Sequence, residues 1–511
     1  MSVATSSTKR DQQPRMSTKR VNLVIAVFVV SAMIMILNET ILSVALPAIM
    51  EDFSVGADVV QWLTTGFMLV MAIVIPTTGF LLQRFGTRTL FLAALVLFIA
   101  GTVIAAVAPA FVCILLGRVI QAIGTAIVLP LLMTVTLTLV EPERRGMMMG
   151  INSIVMSVAP AVGPTLSGLI LNSLTWHWLF WLMVPIALVC LIAGFFLIVD
   201  IAEPVKIGFD ILSVVLSALA FGGLVYGLST IGQLVTGESW IPVVALIAGA
   251  VFLAVFVRRQ IVLSRSGKAL LEMAPFGVLN FTLSVTVLSL AFATMLGTVI
   301  VLPLYMQSAL LITALVTGLA LLPGGLIQGL VSPFIGRIYD SVGPRPLVIP
   351  GALILLASQI WMHFGLSENT TVWTVIAMYV LFGIGMALVM TPMMTLSLSV
   401  LPKHLYGHGS AIVNTLQQLG GAAGTAILIA AMTIGAKNSS ATSMAAAQAD
   451  GTSASFIAGG ILAAIALVAA LFIQAPQRTK VVEQEAPHQA SSFRRKARYL
   501  LPRGASCGTI I

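Results

Sequence analysis

Long apolar runs separated by short polar or charged turns fill the chain from residue 21 to residue 474. Each run reaches the roughly 20 residues that a helix needs to cross a bilayer. The pattern predicts fourteen spanning helices, over 21–45, 60–82, 89–108, 112–139, 148–172, 179–199, 209–232, 240–260, 281–304, 316–338, 347–366, 372–398, 409–434 and 454–474. The two shortest runs, 89–108 and 347–366, are the least marked. The expected fold class is an all-α polytopic membrane protein with 14 transmembrane helices.

Composition removes the competing classes. A length of 511 residues would suggest about three soluble domains. Hydrophobic residues make up 59% of the chain and charged residues 8%, with a mean hydropathy of +1.08. A soluble domain carries roughly 25% charge. Three cysteines cannot frame a secreted disulfide scaffold, and Cys113 and Cys190 sit in apolar runs as buried thiols. The first 20 residues are polar and basic, and the following run continues into Glu39-Thr40. That is too long for a signal-peptide core, so it reads as a retained first helix. Cys507 lies fifth from the end, one place off a prenylation box. The basic tail suits a place beside an anionic inner leaflet.

Charge orients the helices. With the N-terminus in the cytoplasm, all but two of the 26 Lys and Arg residues fall in inner segments. The exceptions are Lys437, in an outer loop, and Arg118, inside a span. Cytoplasmic loops favour Lys and Arg, so both termini are expected inside. The net charge of +9 is then explained by topology, without nucleic-acid binding.

The chain also repeats itself. Gly79-Phe80-Leu81-Leu82-Gln83-Arg84-Phe85-Gly86-Thr87-Arg88 follows the second span, and Gly336-Arg337-Ile338-Tyr339-Asp340-Ser341-Val342-Gly343-Pro344-Arg345 follows the tenth. The two align at an offset of 257 residues. Pro130 and Pro392, Gly146 and Gly407, and Asn152 and Asn414 recur at offsets of 261 or 262. Spans 1–6 and 9–14 are therefore equivalent halves, with spans 7 and 8 inserted between them. Repeated bundles around a central site are the architecture of alternating-access transporters.

These residues carry a family resemblance. The turn Gly79…Arg84-x-Gly86-x-Arg88 resembles the loop between helices 2 and 3 of the major facilitator superfamily. Gly117-Arg118-x-x-Gln121-x-x-Gly124 with Pro130 is similar to its fourth-helix motif. Gly150, Ala159, Gly163-Pro164 and Ser167-Gly168 resemble the antiporter motif of its drug exporters. Leu37-Asn38-Glu39-Thr40-Ile41 with Ala45-Leu46-Pro47, and Asn414-x-x-Gln417-Gln418-x-Gly420-Gly421, are similar to signatures of the fourteen-helix drug:proton antiporter branch. Asn-Glu-Thr in the first helix is most similar to lincomycin-resistance-type multidrug exporters. The likeness spans about residues 21–474. It departs from the family pattern at Gln83, where an acid is usual, while Asp340 keeps the acid in the second half. Asn38 stands where Asp is more frequent, with the acid one residue on at Glu39. Ala159 and Ser167 replace glycines.

Glu39 is the one carboxylate well inside a span. An ionised group at the bilayer centre costs about 2.5–3.5 kcal/mol on insertion scales. Desolvation favours the neutral carboxyl, and alternating exposure would load and unload a proton. The alternative is a protonated, hydrogen-bonded Glu near the outer end of the first helix. Arg118 is the one basic residue inside a span and stays charged. The resemblance implies a part in proton coupling, with Glu39 or a substrate group as candidate partners. Packing against backbone carbonyls is the alternative. Pro160 and Pro164 each remove a backbone hydrogen bond, and Gly163 and Gly168 admit close helix approach. With Gly150 they form a bent rocking surface or an ordinary membrane-helix pattern. Asn38, Gln121, Asn152, Asn414, Gln417 and Gln418 are intramembrane amides that line a polar cavity or tie helices together. Gly79, Gln83, Arg84, Gly86, Arg88, Gly336, Asp340, Gly343 and Arg345 form the two conformational turns. Met33, Met35, Met68 and Met71 suit an adaptable apolar pocket. His177, between Trp176 and Trp178, reads as interfacial. No phosphate loop or metal-ligand spacing occurs.

The expected domains are a cytoplasmic tail (1–20), a six-helix bundle (21–199), two linking helices with cytoplasmic loops (200–275), a second six-helix bundle (276–474) and a basic cytoplasmic tail (475–511). The expected function is proton-coupled export of amphipathic or lipophilic drugs across the cell membrane, as a monomer. No cofactor, catalytic residue, metal or nucleic acid is expected. The alternatives are export of one endogenous metabolite, amino acid or lipid, and an intramembrane enzyme.

Overall fold

The computed structural model describes residues 17–200, 210–231, 239–266, 268–441 and 443–474. The expectations for the tail after residue 474, Cys507 among them, lie outside these residues. Among the described residues all regular elements are helical, and fourteen helices are long and apolar enough to cross a membrane.

They are α1 (Thr18–Phe53), α2 (Trp62–Phe85), α3 (Thr87–Ala106), α4 (Phe111–Leu139), α5 (Arg145–Leu171), α6 (His177–Leu197), α7 (Ile211–Ser229), α8 (Ile241–Ser264), α9 (Leu279–Ser308), α10 (Ala314–Val342), α11 (Arg345–Gly365), α12 (Val372–Ser399), α13 (Tyr406–Lys437) and α14 (Met444–Leu471). Helix α1 outruns its apolar stretch at both ends. Ser17 caps its first turn by accepting from the Arg20 N–H, and Ser54 ends it in the left-handed region at φ 52°.

The repeat is visible in the backbone. Gly86 (φ 73°) and Gly343 (φ 82°), paired by the 257-residue offset, hold the same left-handed turn before α3 and α11. Only glycine takes that φ without strain. The arginines two places on repeat as well. Arg88 donates to the Phe195 carbonyl at the end of α6, and Arg345 to the Ile473 carbonyl beyond α14. Each turn thus staples the third helix of its half to the sixth.

Each half has its own core. One apolar cluster draws only on residues between Val24 and Ile198. The other is built mainly from α9–α14, takes in Leu216, Phe221, Val225 and Phe256 of α7 and α8, and reaches Ala72, Phe80, Met133, Leu137 and Met149 of the first bundle. Lipid tails are as apolar as leucine, so close packing of small residues must hold the helices together. Helices α5 and α10 show this across the seam between the halves. Gly146 meets Gly336, Gly150 meets Ser332 and Pro333, and Gly325 meets Ala161 and Ser157.

Helices α7 and α8 lie over the opposite seam, between α2 and α13. Gly222 of α7 faces Leu69 and Ile73 of α2, and Tyr226 stacks on Trp62 with centroids 6.0 Å apart. Helix α8 covers α7 from outside through Gly249 against Gly223. Only 17% of its apolar window is buried in protein, so it belongs to the lipid boundary. At the basic end Arg259 donates twice to the Asp210 carboxylate, at 3.0 and 3.1 Å. Burial works to raise the Asp210 carboxyl, but the hydrogen bonds from Arg259 and Ser213 and the Arg259 charge outweigh it. They hold it below the usual carboxylate value. Gln260 donates to Ser213 and accepts from the Leu270 and Leu271 N–H groups. These bonds anchor the inserted pair to the segment leading into α9.

Candidate functional site

Polar groups inside the first bundle converge on Arg118. Arg118 and Gln121 are one turn apart on α4 and share a face. The fully buried Arg118 donates through Nη1 to Asn38 Oδ1 at 2.7 Å and to Gln121 Oε1 at 3.2 Å. Its Nε donates to the Leu63 carbonyl at 3.2 Å, and its guanidinium lies 4.0 Å from the Phe67 ring centroid. Gln121 passes the connection to α3 through Thr102 Oγ1 at 2.9 Å. One cation therefore joins α1, α2, α4 and, through Gln121, α3. Arg118 Nη2 and Asn38 Nδ2 are buried and have no hydrogen-bond acceptor among the described residues.

Of the two candidate partners of Arg118, Glu39 makes no ion pair with it among the described residues. Successive helical residues are about 100° apart around the axis. On α1, Asn38 faces α4 and Thr40 faces α5, where its hydroxyl donates to the Ala159 carbonyl at 3.3 Å. Glu39 lies on the arc between them, half-buried, with no ion pair among the described residues. The direct contact of Arg118 goes to the Asn38 amide.

The antiporter-like motif on α5 separates into parts with different work. A side chain at Gly163 would run into Thr40, beside Glu39, and Gly150 is pressed against α10. Gly168 meets nothing within 4 Å, so its expected role in close packing is not found. Pro160 and Pro164 both lie within a continuous α5, which keeps its helical course through them. Gly163→Leu is expected to force α1 from α5 and cut efflux at least about tenfold, at a cost on the order of 1–3 kcal/mol for overpacking. Efflux assays normalised to membrane-inserted protein would check this, and normal efflux would reduce Gly163 to filler.

The remaining amides lie apart from Arg118. Asn152 donates to Thr136 Oγ1 at 2.9 Å and ties α5 to α4. Asn414 donates to the Ser410 carbonyl at 2.8 Å and touches Met133 Sδ at 3.2 Å, across the two halves. Gln417 is buried with neither amide atom partnered among the described residues. Gln418 lines a cavity between α2, α7, α9 and α13.

The basic ends of the halves are latched together. The Asp340 carboxylate accepts from the Gly146 and Met147 N–H groups at 2.7 and 3.0 Å, capping the start of α5 from α10. A carboxylate there also meets the positive end of the helix dipole. The related latch uses Gln83, whose Nε2 lies 2.8 Å from His408 Nε2 at the start of α13. Arg145 adds a bond to the Tyr406 hydroxyl at 3.2 Å. His408 is absent from the sequence-derived site. The repeat was its signal, since a 261-residue offset pairs it with Met147.

Two repeated bundles, a buried cation at the heart of one and latches at one end define a polytopic membrane transporter. The sequence profile described as Major Facilitator Superfamily matches residues 28–425. The chain belongs to the Major Facilitator Superfamily. It is 40% identical over 458 residues to the lincomycin resistance protein LmrB of Listeria monocytogenes, covering 88% of this chain and 96% of that one. It is equally 40% identical over 458 residues to the uncharacterized MFS-type transporter YcnB of Bacillus subtilis, covering 89% and 96%. The multidrug resistance protein B homolog of Mycobacterium tuberculosis is 28% identical over 400 residues, with 78% of this chain and 73% of that one aligned. Among solved structures, the proton:xylose symporter XylE bound to 6-bromo-6-deoxy-D-glucose superposes with a TM-score of 0.62. Identity there is 15%, over 90% of this chain and 97% of that one, and the likeness is one of fold. Fourteen apolar helices and bacterial relatives of this kind make the chain a multi-pass protein of the cell membrane.

Proposed function

We propose that the protein is a proton-driven antiporter that exports amphipathic, lipophilic or cationic drug-like compounds from the cytoplasm by alternating access. The observation that carries the reading is the pair on α1 and α4. A half-buried Glu39, with no ion pair among the described residues, sits one residue from the Asn38 that engages a fully buried Arg118. A carboxylate kept inside a membrane span without a salt bridge is suited to taking up and releasing a proton. The names of its relatives, lincomycin resistance and multidrug resistance, support the substrate class. In this reading the basic, latched end faces the cytoplasm. The gradient supplies the drive, no cofactor takes part, and one chain suffices.

The test is uptake of ethidium and lincomycin into everted membrane vesicles acidified inside, with and without a protonophore. Uptake that collapses with the gradient is expected. If folded protein takes up neither compound, drug export is overturned and the weight moves to export of a single endogenous metabolite.

A further inference from the structure

The inserted helices turn one seam of the transporter into a walled pocket. Near the basic end α2 and α13 touch directly, with Gly79 against His408 and Gly407 against Leu82. Towards the other end a cavity of about 480 Å³ lies between them. Helix α7 closes its side with Val225, Leu228 and Ser229, and α9 contributes Leu296 and Ile300. The volume falls in the range of small-molecule sites, roughly 300–1,000 Å³.

The lining has a distinct chemistry. Gln61, just before α2, and Thr64 and Thr65 of α2 line it with Gln418, Thr425 and Thr433 of α13. Apolar Met68, Val225, Leu296, Ile300 and Ile429 fill the rest. Among the described residues, none that lines the pocket carries a charge. Amide and hydroxyl groups from both bundles, set in an apolar wall, recognise hydrogen-bonding groups on an apolar body. They offer nothing to pair with a bare cation.

We propose that this pocket is a binding site for amphipathic compounds bearing several hydroxyl or amide groups, and that α7 is a structural wall of it. Such a compound bridges α2 and α13, the helices whose basic ends are latched through Gln83 and His408. A cation without hydrogen-bonding groups is held elsewhere. The proposal rests on the export reading and narrows its substrate class at this position.

The test uses full-length protein with Cys113→Ala, Cys190→Ala and Cys507→Ala, carrying Thr425→Cys as reporter, in de-energised membrane vesicles. Labelling by a maleimide is timed with lincomycin, which is rich in hydroxyls, or with tetraphenylphosphonium, which has no hydrogen-bonding group. Thr433→Cys is a second reporter, and Thr286→Cys, exposed on α9 away from the pocket, is the control. At about ten times its Kd, lincomycin is expected to slow labelling at Thr425→Cys about tenfold. Tetraphenylphosphonium should leave it unchanged, and Thr286→Cys should respond to neither. Adding Gln418→Leu should raise the lincomycin concentration needed by about tenfold, the cost of one hydrogen bond of about 1.4 kcal/mol. Gradient-driven lincomycin uptake without protection overturns the pocket and leaves the export reading intact. Protection without gradient-driven uptake upholds the pocket and overturns the antiporter. Equal protection by tetraphenylphosphonium overturns the ligand class.

Discussion

Glu39→Gln is expected to abolish accumulation against a gradient while leaving downhill exchange of the same substrate in place. The amide keeps the size and polarity of the side chain and removes its titration. Each unit of pH gradient is worth about 1.4 kcal/mol per proton exchanged, or about tenfold in accumulation. With no proton carried, the ratio of substrate across the membrane falls to about one at any imposed gradient. Glu39 has no ion pair among the described residues, so the substitution breaks no direct salt bridge. A loss of coupling is then read against downhill exchange, which a collapsed helix contact would also remove. Vesicle uptake at imposed pH steps, beside counterflow with no gradient, separates the two quantities. Accumulation that still rises with the pH step would remove Glu39 from coupling.

Span number and repetition were legible because they depend on composition and order. The number of spans follows from the length of apolar runs, and the equivalence of the halves from landmarks at a nearly fixed offset. Gly86 and Gly343 show how direct that reading can be, since their left-handed φ demands the residue that the repeat contains. Contacts between helices were less legible. Whether Glu39 or Asn38 reaches Arg118 depends on a 100° rotation of α1 and on its register against α4, and neither is written in one sequence. The same limit hid His408, which looked like one of five scattered histidines until α13 placed it beside Gln83. Hydropathy identified the inserted helices as spans, but their seat over the α2–α13 seam rests on Gly222, Tyr226 and Trp62, whose spacing resembles any membrane helix. Gly168 errs in the other direction, matching a motif where nothing packs.

Arg118 carries the second large effect. Both Arg118→Ala and Arg118→Lys are expected to cut gradient-driven efflux by at least about tenfold, with membrane insertion retained. The guanidinium serves the Asn38 amide, the Gln121 amide and the Leu63 carbonyl at once, while its face lies over Phe67. Lysine offers a point charge on a flexible stem and cannot keep that fork and the ring contact together. Alanine leaves buried acceptors with no donor, each costing about 1–3 kcal/mol. A cost of that size alone could be structural, so the deciding measurement is the double variant. If Arg118 serves coupling through the charge it sets beside Glu39, then Arg118→Ala in a Glu39→Gln chain should add little further loss of gradient-driven transport. Helix packing makes a different demand. There the two losses multiply, and downhill exchange, intact in Glu39→Gln, fails as soon as Arg118 is removed. Preserved downhill exchange in Arg118→Ala, with accumulation gone, would place the arginine in the proton path. Its loss together with a lowered melting temperature would make Arg118 the pin of the first bundle.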